Sequence, residues 1–229
     1  MSFPHVMVLT LMRDVVRLST HYKQRCISDM KNRKYLTHYE VNQLLLTSRQ
    51  GPNSIRNTCM IMFAYLHGLR ASELVSLRLS DIESGAKSIC INRLKNGFST
   101  VHPIHTEELQ ILHEWLLIRT SYIEKRGIES NYLFISSMGK NISRQQFYNI
   151  LSSTGKRAGL SISVHPHMLR HACGYALADN GIDTRLIQDY LGHRNIRHTV
   201  IYTASNSARF ALLWKGQRKG KKQLFGPKC

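Results

Sequence analysis

The stretch His165-Pro-His-Met-Leu-Arg-His-Ala-Cys-Gly174 decides how this chain is interpreted. Proline is tolerated in the first turn of a helix, so the pattern predicts a helix from Pro166 to Asn180. His167 and Arg170 are three residues apart and therefore face the same way on that helix. Such a pair can bind one phosphate group together. A capping histidine followed by a solvated arginine would give the same spacing, so the pair needs support from other motifs.

Two such motifs follow within the next thirty or so residues. Leu191-Gly-His193 places a histidine directly after a typical helix stop, where it could donate a hydrogen bond to a phosphate oxygen. Tyr202 lies nine residues after His193 and precedes small polar residues. Tyr190, by contrast, falls inside an amphipathic helix and is predicted to be a packing residue. The sequence therefore predicts that Tyr202 is a nucleophile that attacks phosphorus.

An arginine upstream is presented at a helix junction. In His67-Gly-Leu-Arg-Ala-Ser-Glu73, Gly68 ends one helix and the next begins near Ala71. Arg70 thus lies beside free backbone N–H groups, which also favour phosphate. Glu73 either orients Arg70 or simply suits the positive end of the helix dipole, and the sequence leaves both open.

A lysine completes the set of candidate cations. Ser88–Arg93 and Ser99–Ile104 are predicted strands, and Lys95-Asn-Gly97 between them is a hairpin signal. A lysine on a flexible stem can reach into a cleft and donate a proton to a leaving oxygen. A turn lysine is more often only a solubilising charge, so this prediction depends on the other motifs.

Composition points to a polyanionic partner. The chain has 229 residues, 42% of them apolar, and 32 Lys and Arg against 14 Asp and Glu. The net charge of +18 and a pI near 10.1 favour nucleic acid. A basic protein on a membrane surface would need an amphipathic anchor, which the sequence lacks, and no apolar run approaches the ~20 residues of a membrane span.

The cysteines and histidines argue against disulfides and metal. The five cysteines are odd in number and lack a C-x-x-C spacing, which predicts a reducing, cytoplasmic location. Cys59, Cys90 and Cys173 are expected to be small buried hydrophobes. His165, His167 and His171 have no accompanying H-E-x-x-H pattern, so neither a metal site nor a cofactor is predicted.

The predicted fold is mainly α with a small antiparallel β-sheet. Thr37-His-Tyr-Glu40 fits a capping box that opens a helix running to about Ser48. Residues 1–34 are expected to be an N-terminal extension, residues 35–213 the folded domain, and residues 214–229 a basic tail. The remaining predicted elements are helices over 54–67, 71–77, 106–120, 143–158 and 184–191, a strand over 131–135, and short helices from 195 and over 205–214.

Taken together, these motifs resemble the active-site set of the tyrosine recombinases, the phage-integrase family. The likeness covers residues 35–213, which then correspond to the catalytic domain. Longer stretches, such as Arg93–Pro103 and Asp183–Val200, resemble the fimbrial phase-variation recombinases of enteric bacteria. The matching positions, in chain order, are Arg70, Lys95, His167, Arg170, His193 and Tyr202.

The resemblance implies a mechanism. Tyr202 would attack the scissile phosphate, giving a 3′-phosphotyrosyl link and a free 5′-hydroxyl that later reverses the attack on a partner strand. Arg70, Arg170 and His193 would hold the phosphate. Two further groups would handle protons, namely Lys95 at the leaving 5′ oxygen and His167. No metal or nucleotide is implied.

The resemblance also implies partners and a biological role. The expected substrate is double-stranded DNA at inverted-repeat sites, bound by a tetramer with DNA-bending accessory proteins, in the nucleoid. Inversion of a promoter-bearing segment would then control fimbrial or other surface genes. A catalytically silent DNA-binding regulator and a type IB topoisomerase are the alternatives.

The two ends of the chain carry separate expectations. The 34 residues ahead of the predicted domain are too few for the separate core-binding domain of most relatives, an absence that the resemblance to fimbrial recombinases leads us to expect. Those recombinases begin close to the position of Met30, so residues 1–29 are expected to be either an accessory arm or the product of a misplaced start codon. The apolar segment Ser205–Trp214 is expected to dock on a neighbouring subunit or to pack on its own domain.

Overall fold

Helices make up most of the chain that the structure describes. The structure is a computed structural model, and it describes residues 33–93 and 99–204. The predictions for the N-terminal extension, for Lys95 and for the segment from Ser205 to the end lie outside these residues. Across the described part, no helix combines the length and apolar character that crossing a bilayer demands.

The helices follow the sequence pattern closely. They are α1 (His38–Ser48), α2 (Ser54–Leu66), α3 (Ala71–Ser76), α4 (Thr106–Glu124), α5 (Arg144–Arg157), α6 (Pro166–Asp179), α7 (Thr184–Leu191) and α8 (Arg197–Thr203). The predicted mainly helical class is confirmed, and α4 runs one turn further than the sequence suggests.

Local capping chemistry sets several helix starts. The Thr37 hydroxyl accepts a hydrogen bond from the Glu40 N–H at 3.3 Å, and the Glu40 carboxylate accepts one from the Thr37 N–H at 2.9 Å. This is the predicted capping box, and it typically stabilises a helix by about 1 kcal/mol. Ser143 and Gln146 form a second capping box at the start of α5.

A three-stranded antiparallel sheet packs beside the helices. Its order is β1 (Ile82–Glu83), β2 (Ser88–Ile91) and β3 (Thr100–Pro103). In the β2–β3 hairpin Ser88 pairs with Pro103 and Ile91 with Thr100. The hairpin was predicted, whereas β1 was not, because two residues carry no detectable alternation.

The predicted strand over 131–135 is wrong in its extent. Tyr132 and Ile135 each form only an isolated bridge, with Arg78 and Asn141 respectively. The apolar residues of this segment instead fill the core: Trp115 donates its indole N–H to the Leu133 carbonyl at 2.9 Å. Burial of the segment, rather than pairing in a sheet, explains its apolar character.

The core has a large part and a small part. α2 lies at the centre of the large part, and Cys59, Met60 and Phe63 are among its fully buried side chains. The small part lies under α6, α7 and α8 and includes Cys173 and Tyr202. Of the three cysteines expected to be buried, Cys59 and Cys173 are, and Cys90 is only partly covered.

Gly68 joins the two parts of the core. It ends α2 with φ +57°, and a Cβ there would lie 2.4 Å from the Leu191 side chain. The chain can therefore turn from α2 toward Arg70 only where a side chain is absent. This close approach brings the end of α2 against the end of α7, where two of the candidate site motifs begin.

We expect Gly68→Ala to lower the free energy of unfolding by about 2–4 kcal/mol, since it combines left-handed strain with overpacking. Gly127→Ala is the matched control, because Gly127 has φ +58° and a Cβ added there would meet nothing within 4 Å. Urea denaturation of both variants measures the difference. Equal losses would show that the contact with Leu191 carries no cost.

Candidate active site

One pocket gathers most of the residues predicted from the sequence. It has a volume of about 410 Å³ and lies between the start of α3, the face of α6 and the segment from His193 to α8. Its lining residues are Arg70, His167, Arg170, His171, His193, Arg197, His198, Ile201 and Tyr202. Lys95 lies outside the described residues, and the other five predicted residues all line this pocket.

A buried carboxylate organises the arginines. The Glu73 side chain is 1% exposed. Its Oε1 is 2.5 Å from Arg70 Nη1, and its Oε2 is 3.0 Å from Arg93 Nη1 and 3.8 Å from Arg170 Nη1. Glu73 also accepts the Arg70 backbone N–H at 2.9 Å. Of the two interpretations left open by the sequence, the structure therefore supports orientation of Arg70.

Electrostatics keep this carboxylate charged. Burial acts to raise the pKa of Glu73, but the Arg70 N–H and the three guanidinium groups outweigh burial and hold that pKa below its ordinary value. A charged Glu73 in turn offsets the repulsion among arginines brought into one small volume. The three arginines are thus held in place around one buried carboxylate.

Arg170 is an anchor as well as a pocket residue. It is 3% exposed, donates from Nη1 to the Gly68 carbonyl at 2.6 Å and from Nη2 to the Leu191 carbonyl at 2.6 Å. These carbonyls lie just past the end of α2 and at the end of α7. Burial, with the neighbouring guanidinium groups, lowers the pKa of Arg170 to about 10, so it remains a cation at neutral pH.

Arg93 was missed as a site residue. Its guanidinium is fully buried, pairs with Glu73, and donates to the carbonyls of Tyr190 at 2.5 Å and His67 at 3.3 Å. Its position ties the end of β2 to α2 and α7. A signal was available: Ile89, Ile91 and Arg93 alternate inward, which predicts a buried arginine that needs a partner.

His193 is held as a neutral donor or acceptor. It follows Gly192, and its Nδ1 lies 2.9 Å from the Thr199 hydroxyl. Burial, followed by the charges of Arg170 and Arg70, lowers the pKa of His193 to about 3. A neutral imidazole between fixed cations can donate one N–H to a phosphate oxygen without adding a further charge.

Tyr202 is more enclosed than the sequence suggested. It is 1% exposed and belongs to the small core, so the contrast drawn with packing tyrosines does not hold for burial. Its hydroxyl lies 2.9 Å from His171 Nδ1. Burial raises the pKa of Tyr202 to about 12, while Arg170 acts in the opposite direction. The phenol is therefore protonated at neutral pH.

A buried histidine pair lies behind the arginines. His67 Nε2 is 2.9 Å from a Glu108 carboxylate oxygen, and its Nδ1 is 3.3 Å from His102 Nδ1. His102 also stacks on Tyr190 with ring centroids 3.9 Å apart. Burial, together with the charges of His67 and Arg93, lowers the pKa of His102 to about 3. Tyr190 thus contacts both His102, through its ring, and Arg93, through its carbonyl.

The chain is similar to known proteins over most of its length. The model of the phage integrase family matches residues 34–209. The type 1 fimbriae regulatory protein FimB of Escherichia coli strain K12 is 56% identical over 191 residues, which are 83% of this chain and 94% of FimB. The regulatory protein FimE of the same strain is 50% identical over 186 residues, which are 81% of this chain and 93% of FimE.

A solved structure gives the same fold. The crystal structure of XerA recombinase superposes with a TM-score of 0.67 at 25% identity. The match covers 82% of this chain but 66% of XerA. The chain therefore spans nearly all of the fimbrial regulators and about two thirds of this recombinase.

His102 makes the stability of the fold depend on pH. Its folded pKa of about 3 lies below the unfolded value near 6.5, so stability is present above pH 6.5 and is lost as the pH falls toward 3. From pH 7 to pH 5 we expect a loss of about 2 kcal/mol from this residue. His102→Gln should remove that part of the pH dependence. Denaturant titrations at both pH values test this, and an unchanged slope in the variant would contradict it.

Proposed function

Because this chain belongs to the phage integrase family of tyrosine recombinases, we propose that it cuts and rejoins DNA at specific sites and so controls fimbrial gene expression. The observation that carries the proposal is the pocket in which Tyr202 meets Arg70, Arg170 and His193. These residues come from four separate parts of the chain. A pocket that combines a phenol with fixed cations fits a phosphodiester.

The chemistry assigned to each residue follows from its charge state. Tyr202 attacks the scissile phosphorus and the leaving group is the 5′ oxygen. Arg70 and Arg170 neutralise the non-bridging oxygens, and neutral His193 donates a further hydrogen bond. Donors of this kind, fixed before the reaction, typically contribute about a hundredfold or more each to the rate.

Two residues have roles in proton transfer. Lys95, at the tip of the predicted hairpin, protonates the leaving 5′ oxygen, and His167 on α6 assists proton movement at the phosphate. The resulting 3′-phosphotyrosyl bond conserves the energy of the phosphodiester. The free 5′-hydroxyl of a partner strand then attacks it and restores Tyr202.

Double-stranded DNA is the proposed partner. The net charge of +18 supports binding to DNA. Arg197 and His198, which also line the pocket, support it further. Binding of this kind releases counterions, so affinity should fall steeply with salt.

The biological role comes from the fimbrial regulators. High identity to FimB and FimE over nearly their full lengths supports inversion of a promoter-bearing segment between inverted repeats. Exchange of strands between two sites needs two subunits at each site, so the proposed assembly is a tetramer on DNA. Accessory proteins that bend the DNA are further proposed partners. Such a protein works at the nucleoid in the cytoplasm.

The proposal is tested by trapping the covalent intermediate. We expect the wild-type protein to form a denaturation-resistant adduct with a nicked suicide substrate, and Tyr202→Phe to form none, since the nucleophilic oxygen is absent. Tyr39→Phe is the control, because Tyr39 is 69% exposed and is the most accessible alternative phenol among the described residues. Gel electrophoresis under denaturing conditions measures the adduct.

Two outcomes would overturn the assignment. An adduct that survives Tyr202→Phe means that another residue is the nucleophile. An absence of adduct with the wild-type protein, together with specific DNA binding, favours a silent regulator. Relaxation of supercoiled plasmid without site preference would instead indicate a topoisomerase.

A further inference from the structure

We propose that His171 is the base that accepts the phenolic proton of Tyr202 as its oxygen attacks phosphorus. This inference rests on the proposed function and adds a residue to it. On sequence alone, His171 is weighed only as a metal ligand and is assigned no catalytic role. The structure places its Nδ1 at 2.9 Å from the Tyr202 oxygen, which is the distance required of a general base.

The position of His171 on α6 supports this role. It follows Arg170 directly and lies four residues after His167, so both histidines are on one side of the helix. His171 and Tyr202 line the same pocket as Arg70 and Arg170. A proton that leaves the phenol therefore has an acceptor at the wall of the pocket where the phosphate would bind.

The surroundings of the phenol fix its direction. A Cβ at Gly174 would lie 2.6–2.8 Å from three carbons of the Tyr202 ring. The Tyr175 ring packs edge-on against the Tyr202 ring, with centroids 5.1 Å apart. With the ring held this closely, the hydroxyl is directed toward His171 and the side chain is only 1% exposed.

Enclosure makes a protein base necessary. A phenol that is protonated at neutral pH attacks phosphorus well only if its proton leaves during the step. His193 is a poor acceptor, because its Nδ1 already lies 2.9 Å from the Thr199 hydroxyl and its pKa is about 3. Its ring also runs nearly parallel to that of Tyr202, with centroids 6.3 Å apart. His171 is the group already in contact.

The proton and the bonds balance in both directions. The Tyr202 oxygen forms a bond to phosphorus while the bond from phosphorus to the 5′ oxygen breaks. The phenolic proton moves to His171 Nδ1, and the 5′ oxygen receives a proton from Lys95. In the rejoining step, the 5′-hydroxyl attacks, its proton returns to Lys95, and His171 returns its proton to the departing phenol.

The test separates proton transfer from positioning. His171→Asn keeps a polar atom near the position of Nδ1 and can still hold the hydroxyl, but it cannot accept a proton at neutral pH. We expect single-turnover cleavage of the suicide substrate to slow by about a hundredfold or more. His113→Asn, at an exposed position on α4, is the control for substitution of a histidine and should cleave at the wild-type rate.

A fluorinated tyrosine at position 202 makes the test decisive. Fluorination lowers the pKa of the phenol, so it should reduce the defect of His171→Asn at least tenfold. Gly174→Ala displaces the ring without removing the base, so its defect should not respond to fluorination. Thermal melts establish that each variant is folded.

The outcomes are distinguishable from failure of the proposed function. If the wild-type protein forms no adduct, the proposed function fails. If the wild-type protein forms it and His171→Asn cleaves within about threefold of the same rate, His171 is not the base. A defect that fluorination leaves unchanged, or a faster rate in His171→Ala, would assign His171 to positioning or restraint and overturn the inference.

Discussion

The carboxylate of Glu73 is the point on which the site depends. Arg70, Arg93 and Arg170 each have a guanidinium nitrogen within 4 Å of its oxygens. Two unit charges 4 Å apart interact by about 4 kcal/mol at a dielectric typical of a protein surface, so three arginines could not share this volume without an anion. Removal of one partner from a buried ion pair typically costs about 3–5 kcal/mol. The cations of the pocket are therefore held in place before any phosphate binds.

The same arginines connect the pocket to the fold. Arg170 bonds to carbonyls at Gly68 and Leu191, and Arg93 bonds to the carbonyl of Tyr190. The ends of α2 and α7 have carbonyl groups that no helical N–H satisfies, and the guanidinium groups fill that need. The arginines held by Glu73 thus also complete the ends of two helices. The close approach at Gly68 brings those two helix ends within reach of one side chain.

Local signals in the sequence carry much of the fold, and less of the site. The Thr37–Glu40 capping box, the stop at Gly68 and the proline that begins α6 each act over a few residues, so they can be read directly. The hydrogen bond between Arg93 and Tyr190 spans 97 residues, and no local pattern encodes it. The contact of His171 with Tyr202 spans 31 residues, and no local pattern encodes it either. The order of motifs pointed to five residues that line one pocket, whereas the buried state of Tyr202 depends on packing against α6.

The contacts of Arg170 with two helix ends have a consequence for how this protein could diverge. A descendant that gave up DNA cleavage would still need the guanidinium group to hold the ends of α2 and α7 together, and would still need Glu73 to neutralise it. The fold does not require the phenolic oxygen of Tyr202 in this way, because a phenylalanine ring would fill most of the same space. Conservation of the arginine in a related chain is therefore weak evidence that the chain still cleaves DNA. Conservation of the tyrosine is stronger evidence.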